Sequence, residues 1–432
     1  MFEKNNSNQF PLTPLHELTL RITDGSHFSP TPQEHGYLIA NVKDMKSGFI
    51  DFNSCTRMSE ASYRELKSTG CTIRNGNVLL SKDGTVGRVV VYQQNDEIGA
   101  LSSICIIEAS DKLLPAFLGH ALQSDICIKQ FENFMSGSAI RRLVLRDIRA
   151  IEVPNPSIEE QIAIAQVLDT LDTAIRETES IIDKLKVIKQ GLLQDLLTRG
   201  VNANGELRPP QSEAPQLYKD SPLGWIPKEW DIGTTESYLN RIIDYRGKTP
   251  EKTESGIPLI TARNVRFGYI DTEPCEFIAH EDFDRWMTRG IPQKGDILFT
   301  TEAPLGNLAQ IETDNRLAFA QRVIILQAGP RIINTFLKYF MLGQMFRSRL
   351  FALGSGSTVE GIQQSTFRRL LITIPESLFE QEIIIQKLTE MDSKINSESK
   401  YAAKLKQTKS GLMNDLLTGH VRVTPLLETT TP

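Results

Sequence analysis

EQIAIAQVLDTLDTAIRETESIIDKLKVIKQGLLQDLLTRGV forms residues 160–201 of this chain, and EQEIIIQKLTEMDSKINSESKYAAKLKQTKSGLMNDLLTGHV forms residues 380–421. The two stretches start 220 positions apart and share 18 identical residues over 42 paired positions, without a gap. Two unrelated amphipathic helices would not agree at this level. We therefore interpret the chain as the product of an internal duplication.

Both copies carry apolar residues at alternating spacings of four and three, which is the period of a coiled coil. A helix with such a seam buries it against a partner helix, and the simplest partner of each copy is the other. Polar residues interrupt the seam at Thr178 and Lys189, and at the paired positions Glu398 and Lys409. The predicted seam residues are Leu168, Leu171, Ile175, Leu185 and Leu192 in the first copy, and Leu388, Met391, Ile395, Leu405 and Leu412 in the second.

The chain of 432 residues is too long for a single core. A stretch rich in proline and polar residues follows the first helix and has the composition of a linker. The part that comes after this linker repeats the layout of the part that precedes the first helix. The predicted boundaries are 1–156 for the first globular domain, 157–199 for the first helix, 200–224 for the linker, 225–376 for the second globular domain, 377–418 for the second helix and 419–432 for a tail.

Within the first domain, short runs of β-type residues are separated by Gly, Asn and Asp turns. They predict strands at Tyr37–Val42, Asn77–Ser81, Arg88–Tyr92 and Ser103–Glu108, and a helix follows over Pro115–Phe134, matched by Asn334–Phe346 in the second domain. The predicted fold class is α+β. Two similar mixed α/β domains are separated by an antiparallel two-helix coiled coil, with a pseudo-two-fold internal repeat.

The linker independently favours the antiparallel arrangement. A helix of about 40 residues is about 60 Å long. If the helices run antiparallel, the second helix starts near the end of the first, and the linker at 200–224 reaches the second domain easily. A parallel pair would require the linker to return along the whole helix in a nearly extended form.

The composition and the motifs favour a recognition protein over an enzyme. The net charge is −5, the five cysteines form no C-x-x-C pair, and no run approaches 18 apolar residues. We therefore expect a protein of the cytoplasm without a membrane span, a disulfide framework or structural zinc. Gly247-Lys248-Thr249 resembles the end of a phosphate-binding loop, but Ile242 stands where that loop needs glycine. The histidines lack metal-ligand spacing, so we expect no catalytic residue, no metal and no cofactor on this chain.

Basic residues cluster in both globular domains beside Gly- and Ser-rich loops. Arginine and lysine on loops suit phosphate contacts and the edge of guanine, and asparagine suits adenine. The alternative interpretation is that these residues are ordinary solvated surface charges. The candidate DNA-binding residues are Lys82, Arg141, Arg142, Arg146, Arg246, Lys248, Thr249, Arg263, Asn264 and Thr358.

Four elements together resemble the specificity subunit of a type I restriction–modification enzyme. They are Pro154–Gln161, the K-x-G-L-x-x-D-L-L-T sequence at Lys189–Thr198 and again at Lys409–Thr418, the Leu223–Pro227 segment that opens the second domain, and Asp244–Pro250. The resemblance covers nearly the whole chain. The first domain departs from it, because Asp24–Phe28 stands where a counterpart of the Arg246–Pro250 element would be.

The resemblance implies the function. Each globular domain would be a target-recognition domain that reads one half of a bipartite, asymmetric sequence in double-stranded DNA. The helices would set the gap between the halves and dock two modification (methyltransferase) subunits. Those subunits would supply S-adenosylmethionine, and motor-nuclease restriction subunits would supply ATP-driven, Mg-dependent cleavage. This chain would itself be non-catalytic.

Two other classes of protein remain open at this point. One is a coiled-coil scaffold whose globular domains bind protein, which predicts no affinity for duplex DNA. The other is a solitary DNA-modifying enzyme, which would need a methyl-donor or metal site of its own.

Overall fold

The computed structural model describes residues 9–135, 141–245, 250–320, 322–354 and 361–423. The chain forms two compact units: Met1–Ser180 with Ser399–Pro432, and Ile181–Glu398. Each unit therefore contains a globular part and one half of each long helix. This division differs from the predicted boundaries, which set the helices apart from the globular domains, because the helix halves pack into the cores of the two units.

The first unit builds its globular part from three sheets. In chain order the strands are β1 (Leu12–Pro14), β2 (Thr19–Asp24), β3 (Tyr37–Ala40), β4 (Thr56–Met58), β5 (Thr72–Ile73), β6 (Val78–Ser81), β7 (Val89–Val91), β8 (Ile98–Ala100), β9 (Ile104–Ala109) and β10 (Glu152–Pro154). The orders are β1-β10, β2-β9-β6-β7 and β4-β3-β8-β5. All neighbours are antiparallel except β3 and β8. The helices are α1 (Glu60–Ser68), α2 (Pro115–Ala121), α3 (Asp125–Met135), α4 (Leu145–Ala150) and α5 (Ile158–Thr198).

The second unit repeats these sheets. Its strands are β11 (Tyr218–Lys219), β12 (Ile226–Pro227), β13 (Trp230–Thr234), β14 (Leu239–Asp244), β15 (Ile257–Ile260), β16 (Phe277–Ile278), β17 (Ile297–Thr300), β18 (Leu308–Gln310), β19 (Ala318–Phe319), β20 (Val323–Ala328) and β21 (Leu371–Pro375). The orders β13-β21 and β14-β20-β17-β18 match those of the first unit, and β11 pairs with β12. The order β16-β15-β19 matches β4-β3-β8, with no counterpart of β5 among the described strands, and β15 and β19 are again parallel. The helices are α6 (Thr235–Tyr238), α7 (Phe283–Trp286), α8 (Asn334–Leu342), α9 (Gln344–Leu353), α10 (Gln364–Arg369) and α11 (Leu378–Thr418).

The central strand of each unit is buried on both faces. Successive side chains of a strand point to opposite sides of the sheet. Val78 and Leu80 of β6 therefore enter the core beneath α2 and α3, whereas Leu79 enters the core on the other side of the sheet. In β17, Phe299 and Leu298 divide in the same way between two cores. The two units thus share their packing as well as their strand order.

The single helix predicted over Pro115–Phe134 is wrong, because the structure has two helices there. The break follows α2, where the Ser124 hydroxyl donates to the carbonyl of Ala121 at 2.6 Å. In the second unit the predicted Asn334–Phe346 helix ends at Leu342, because Gly343 is extended (φ −66°, ψ 147°) before α9 begins. Neither position breaks the apolar periodicity, so sequence pattern alone did not reveal the break.

Segment 200–224, with the composition of a linker, packs within the second unit. Its β11 pairs with β12, and the guanidinium of Arg208 is buried against Glu380 at the start of α11, with 2.5 Å between Nη1 and Oε1. Val201 N and Trp230 Nε1 donate to the same carboxylate at 3.0 and 3.1 Å. The segment is therefore held against the start of α11 by this hydrogen-bonded ion pair.

The long helices are antiparallel in each unit. In the first, Lys409 Nζ lies 2.6 and 2.7 Å from the two carboxylate oxygens of Asp172. In the second, Lys189 forms an ion pair with Asp392. These pairs join the same two positions of the repeat. All ten predicted seam residues are buried or half-buried. The predicted α+β fold class with an antiparallel helix pair is confirmed.

Ser157 and Glu160 form a capping box at the start of α5. The backbone N–H of Glu160 donates to Ser157 Oγ at 3.3 Å, and that of Ser157 donates to Glu160 Oε2 at 3.4 Å. Such a capping box satisfies two N–H groups that a helix end leaves without partners. Among the described helices, none is both long enough and apolar enough to cross a bilayer.

Candidate nucleic-acid interface

A junction of three loops lies beside the central sheet of the first unit. The loop after β6 pairs with the segment before α4 through a bridge between Asp83 and Arg142. Arg142 Nε donates to Asp83 Oδ1 at 2.5 Å, and Lys82 Nζ lies 3.3 Å from Asp24 Oδ2 at the end of β2. Partial burial acts to raise the pKa of Asp83, but the hydrogen bond from Arg142 and the charge of Lys82 hold it below its ordinary value.

The candidate cations of the first unit differ in accessibility. The side chain of Lys82 is only 5% exposed and lies between Asp24 and Asp83, so it is placed to hold the loop junction together. This position does not suit the DNA contact predicted for Lys82, because a buried, paired ammonium cannot reach a phosphate. Arg142 is about half exposed, Arg141 is exposed, and the Arg146 side chain on α4 is 89% exposed although it pairs with Asp147.

The second unit has the same loop junction with other side chains. Glu302, after β17, forms a bridge with Gly361 and an ion pair with Arg322 at 2.9 Å. Arg263 is exposed. Arg246, Lys248, Thr249 and Thr358 lie outside the described residues.

Asn264 does not suit the predicted contact with adenine. It is 2% exposed, and its amide oxygen accepts from the backbone N–H and the hydroxyl of Thr261. Its amide nitrogen donates to the carbonyls of Asp271 and Pro274 at 3.0 and 3.1 Å. With the carbonyl and both N–H groups engaged, the side chain fixes the turn that it begins.

Each unit also has an exposed turn that was not predicted from the sequence. We call the turns Met45–Ile50 and Val265–Ile270 the tip hairpins. In each, a bridge joins the two end residues, and a backbone hydrogen bond of 2.9 or 3.0 Å closes the turn. Gly48 and Gly268 have φ of +82° and +95°, which favours glycine. The shared pattern of basic residues, Gly, aromatic, Ile and Asp, again 220 positions apart, is the signal that would have found them.

The tip hairpins adjoin the loop junctions. Arg88, directly after the loop that carries Asp83, donates from Nη1 to the carbonyl of Met45 at 2.9 Å. Asn307 Nδ2, at the matching place in the second unit, donates to the carbonyl of Val265 at 2.9 Å. Each hairpin is thereby held beside the loop junction of its own unit.

A grouping of His120, Asp169 and Asp172 has the residue types of a metal site. His120 Nε2 lies 2.8 Å from Asp169 Oδ1, but Lys409 engages both oxygens of Asp172. Burial lowers the pKa of His120. At the equivalent place in the second unit, Tyr339 OH donates to Asp392 at 2.8 Å. In both units the group therefore attaches the globular part to a long helix through hydrogen bonds.

The outer faces of the long helices carry exposed apolar side chains. Val187 and Ile188 on α5 are 69% and 54% exposed, and Tyr401 on α11 is exposed as well. In the second unit a groove of about 720 Å³ lies between Ile333, Thr335 and the face of α11 that includes Ile385 and Thr389. Such surfaces on a protein are typical of sites that another protein covers.

Comparisons with known proteins agree with this architecture. The family model described as Type I restriction modification DNA specificity domain matches residues 33–187 and 250–407. The type I restriction enzyme MjaVIII specificity subunit of Methanocaldococcus jannaschii is 26% identical, over 81% of this chain and 80% of that protein. The putative type I restriction enzyme MjaX specificity subunit of the same organism is 22% identical, over 98% and 97%.

A solved structure has the same fold. The crystal structure of the type I restriction–modification system S subunit from M. genitalium aligns over 96% of this chain and 98% of that one, with a TM-score of 0.58 and 16% identity. The family model matches 313 residues (155 in the first copy and 158 in the second), well over half of the 432. The chain therefore belongs to the family of type I restriction–modification DNA specificity proteins, and it is a specificity subunit with two target-recognition domains.

Proposed function

We propose that each globular part reads one half of a bipartite, asymmetric target in double-stranded DNA. The observation that carries this proposal is the loop junction: both units have the same backbone bridge there, but with different polar side chains. The first has Asp83 paired with Arg142, and the second has Glu302 paired with Arg322. A shared framework with different polar groups suits two sites of the same geometry and different sequence, because base edges are distinguished by their donors and acceptors.

The exposed arginines are the candidates for direct contact. Arg142 presents part of its guanidinium to solvent while Asp83 fixes its orientation, which suits the bidentate reading of guanine. Arg141 and Arg146 of the first unit and Arg263 of the second are exposed cations suited to phosphates. Lys82 and Asn264 act indirectly, by holding the loops in place.

The long helices set the gap between the two halves of the target and dock two methyltransferase subunits. The exposed apolar residues of α5 and α11 support this role, because a solvated helix face gains nothing from them. The docked subunits supply S-adenosylmethionine and the methyl transfer to adenine, and motor-nuclease subunits supply ATP, Mg and cleavage. This chain contributes recognition and no catalytic residue.

An exchange of domains tests the proposal. Residues 1–156 are replaced by the equivalent part of another specificity subunit, and the hybrid is produced with its methyltransferase subunits in a host that lacks other adenine methylation. We expect one half of the methylated motif to change and the other half and the gap to stay, because each globular part reads its own half. The measurement is sequencing of methylated adenines. The reciprocal exchange of residues 225–376 is the matched control.

Two results would contradict the proposal. A change in both halves after one exchange would rule out independent reading. Absence of duplex binding by the wild-type chain together with its methyltransferase subunits would favour the scaffold whose globular parts bind protein.

A further inference from the structure

The tip hairpins carry the same residue types at corresponding positions of the two units. Residues 43–51 read KDMKSGFID and residues 263–271 read RNVRFGYID. The fold explains part of this agreement. Gly48 and Gly268 have positive φ, and Ile50 is buried. Asp51 and Asp271 each accept a backbone N–H two residues later at 3.1 Å.

The fold does not explain the other positions, where the two hairpins agree in residue type. Phe49 and Tyr269 at the two tips are 52% and 60% exposed. The basic residues at the first and fourth places of each stretch are exposed as well, namely Lys43 and Lys46 in the first unit, and Arg263 and Arg266 in the second. Arg266 also pairs with Asp271 at 3.1 Å. An exposed ring between cations adds little to stability, so a partner outside the chain is the better explanation for keeping it twice.

The backbone that carries each ring is held in place. The carbonyl at the start of each hairpin accepts from the loop junction, as described for Arg88 and Asn307. In the second hairpin the N–H of Gly268 also donates to the carbonyl of Leu308 at 2.8 Å. The guanidinium of Arg347 lies 4.5 Å from the ring of Phe267, the neighbour of the tip. Because the backbone is already ordered, a hairpin held in this way loses little backbone entropy when its ring meets a surface.

We infer that the tip hairpins are the sequence-independent grip of each target-recognition domain on duplex DNA. The inference rests on the proposed function. A feature that is alike in two domains reading different sequences serves what their targets share, which is the phosphate backbone and the base stack. The basic pair contacts phosphates, which position a protein without specifying sequence. The ring of Phe49 or Tyr269 enters a groove and packs against a base-pair step, as apolar wedges do in DNA-bending proteins.

The test compares binding to two duplexes of equal length. One carries the methylated motif found by sequencing, and the other lacks it. The full chain is assembled with its methyltransferase subunits. For Phe49→Ala and Tyr269→Ala we expect about tenfold weaker binding to both duplexes and an unchanged methylated motif. For Lys43→Ala with Lys46→Ala, we expect the slope of log affinity against log salt to fall by about 2 on both duplexes.

Matched controls lie elsewhere on the first unit. Leu20→Ala removes an exposed apolar side chain from β2, and Lys129→Ala removes an exposed cation from α3; both should bind as the wild type does. Unchanged affinity of the hairpin variants overturns the inference. So does a loss confined to the motif duplex, which would make the hairpins sequence readers. If the variants fail to assemble but the assembled fraction binds DNA normally, the tip hairpins contact the methyltransferase subunits instead of DNA. If the wild-type complex binds neither duplex, the proposed function fails too.

Discussion

Some buried polar side chains in this protein use every hydrogen-bond donor and acceptor group that they carry. The buried amide of Gln161 on α5 uses its carbonyl and both N–H groups, and Gln381 does the same on α11. Gln161 accepts from Leu114 N and donates to the carbonyls of Lys112 and Pro156; Gln381 accepts from Ile333 N and donates to those of Arg331 and Pro375. Replacing such an amide leaves buried N–H and carbonyl groups without partners, which destabilises the fold and explains why glutamine stands at this position in both repeats.

Glu97 leads to a prediction at this scale. Partial burial acts to raise its pKa, but hydrogen bonds, chiefly from Lys67 and Arg74, lower it to about 2. A carboxylate with a lowered pKa adds stability above its unfolded pKa near 4.5, and this is lost as pH falls towards 2. We expect Glu97→Gln to reduce the free energy of unfolding by about 2 kcal/mol at pH 7.

The difference between Glu97→Gln and wild type should narrow below pH 4.5. Chemical denaturation between pH 7 and pH 3 measures it. Glu60→Gln, which removes one partner of an exposed pair with Arg64, is the control and should cost under about 0.5 kcal/mol. A pH-independent difference would show that packing, rather than charge, accounts for the effect of Glu97.

At the scale of the elements, the two ion pairs of the helix seam carry the most information. The heptad pattern predicts an apolar seam, and a lysine within it is costly unless it is paired. Lys409 forms an ion pair with Asp172, and Lys189 forms one with Asp392. The same two positions of the repeat are therefore paired in both units. Polar residues at seam positions are known to specify register and orientation. These pairs therefore favour the antiparallel register over competing ones.

Charge exchange tests this role. Asp172→Lys places two ammonium groups together at a half-buried site, and we expect a loss of about 1–3 kcal/mol in the free energy of unfolding. Asp172→Lys with Lys409→Asp should regain much of that loss, because the pair is restored in reverse. Thermal and urea unfolding of the single and double variants give the coupling energy. Asp183→Lys, at an exposed pair with Lys186, is the control and should change little. Strict additivity would mean that the pair contributes nothing.

At the scale of the whole molecule, each long helix is followed by an arginine that forms an ion pair with a glutamate at the start of the other long helix. In the second unit Arg208 binds Glu380, which also accepts from Trp230. In the first unit Arg422 binds Glu160 at 2.6 Å, and its guanidinium lies 4.8 Å from the ring of Phe10. Glu160 and Glu380 are paired positions of the repeat, and so are Phe10 and Trp230. The segment after α11 thus supplies an arginine to the first unit, as the segment after α5 supplies one to the second.

The proposed role of the helices in spacing leads to the last prediction. One heptad inserted after Thr178 and one after Glu398 keep the seam in register. The pair lengthens by about 10 Å, or about three base pairs, and the second half-site rotates by roughly 100°. We expect weaker binding and a longer preferred gap. Methylated adenines on a library of varied gaps measure this. Full activity at the original gap would mean that the helices do not set the spacing.

The sequence by itself determined the duplication, the helical seam and the α+β class. Each is written in local periodicity, and a heptad pattern needs only a partner helix to be interpreted. The same periodicity hid the breaks at Ser124 and Gly343, because the apolar spacing continues through them. The 220-residue repeat of the tip hairpins was present in the sequence, but their exposure was not.

Only the tertiary structure decided which of the candidate DNA-binding residues reach solvent. Lys82 and Asn264 have the residue types of DNA contacts. However, Lys82 is buried in an ion pair with Asp24, and the side-chain carbonyl of Asn264 accepts hydrogen bonds from Thr261. Arg142 and Arg146 remain at the surface. The accessibility of a charge depends on which distant segments fold against it. That is a property of the packed chain and not of the residue or its neighbours in sequence.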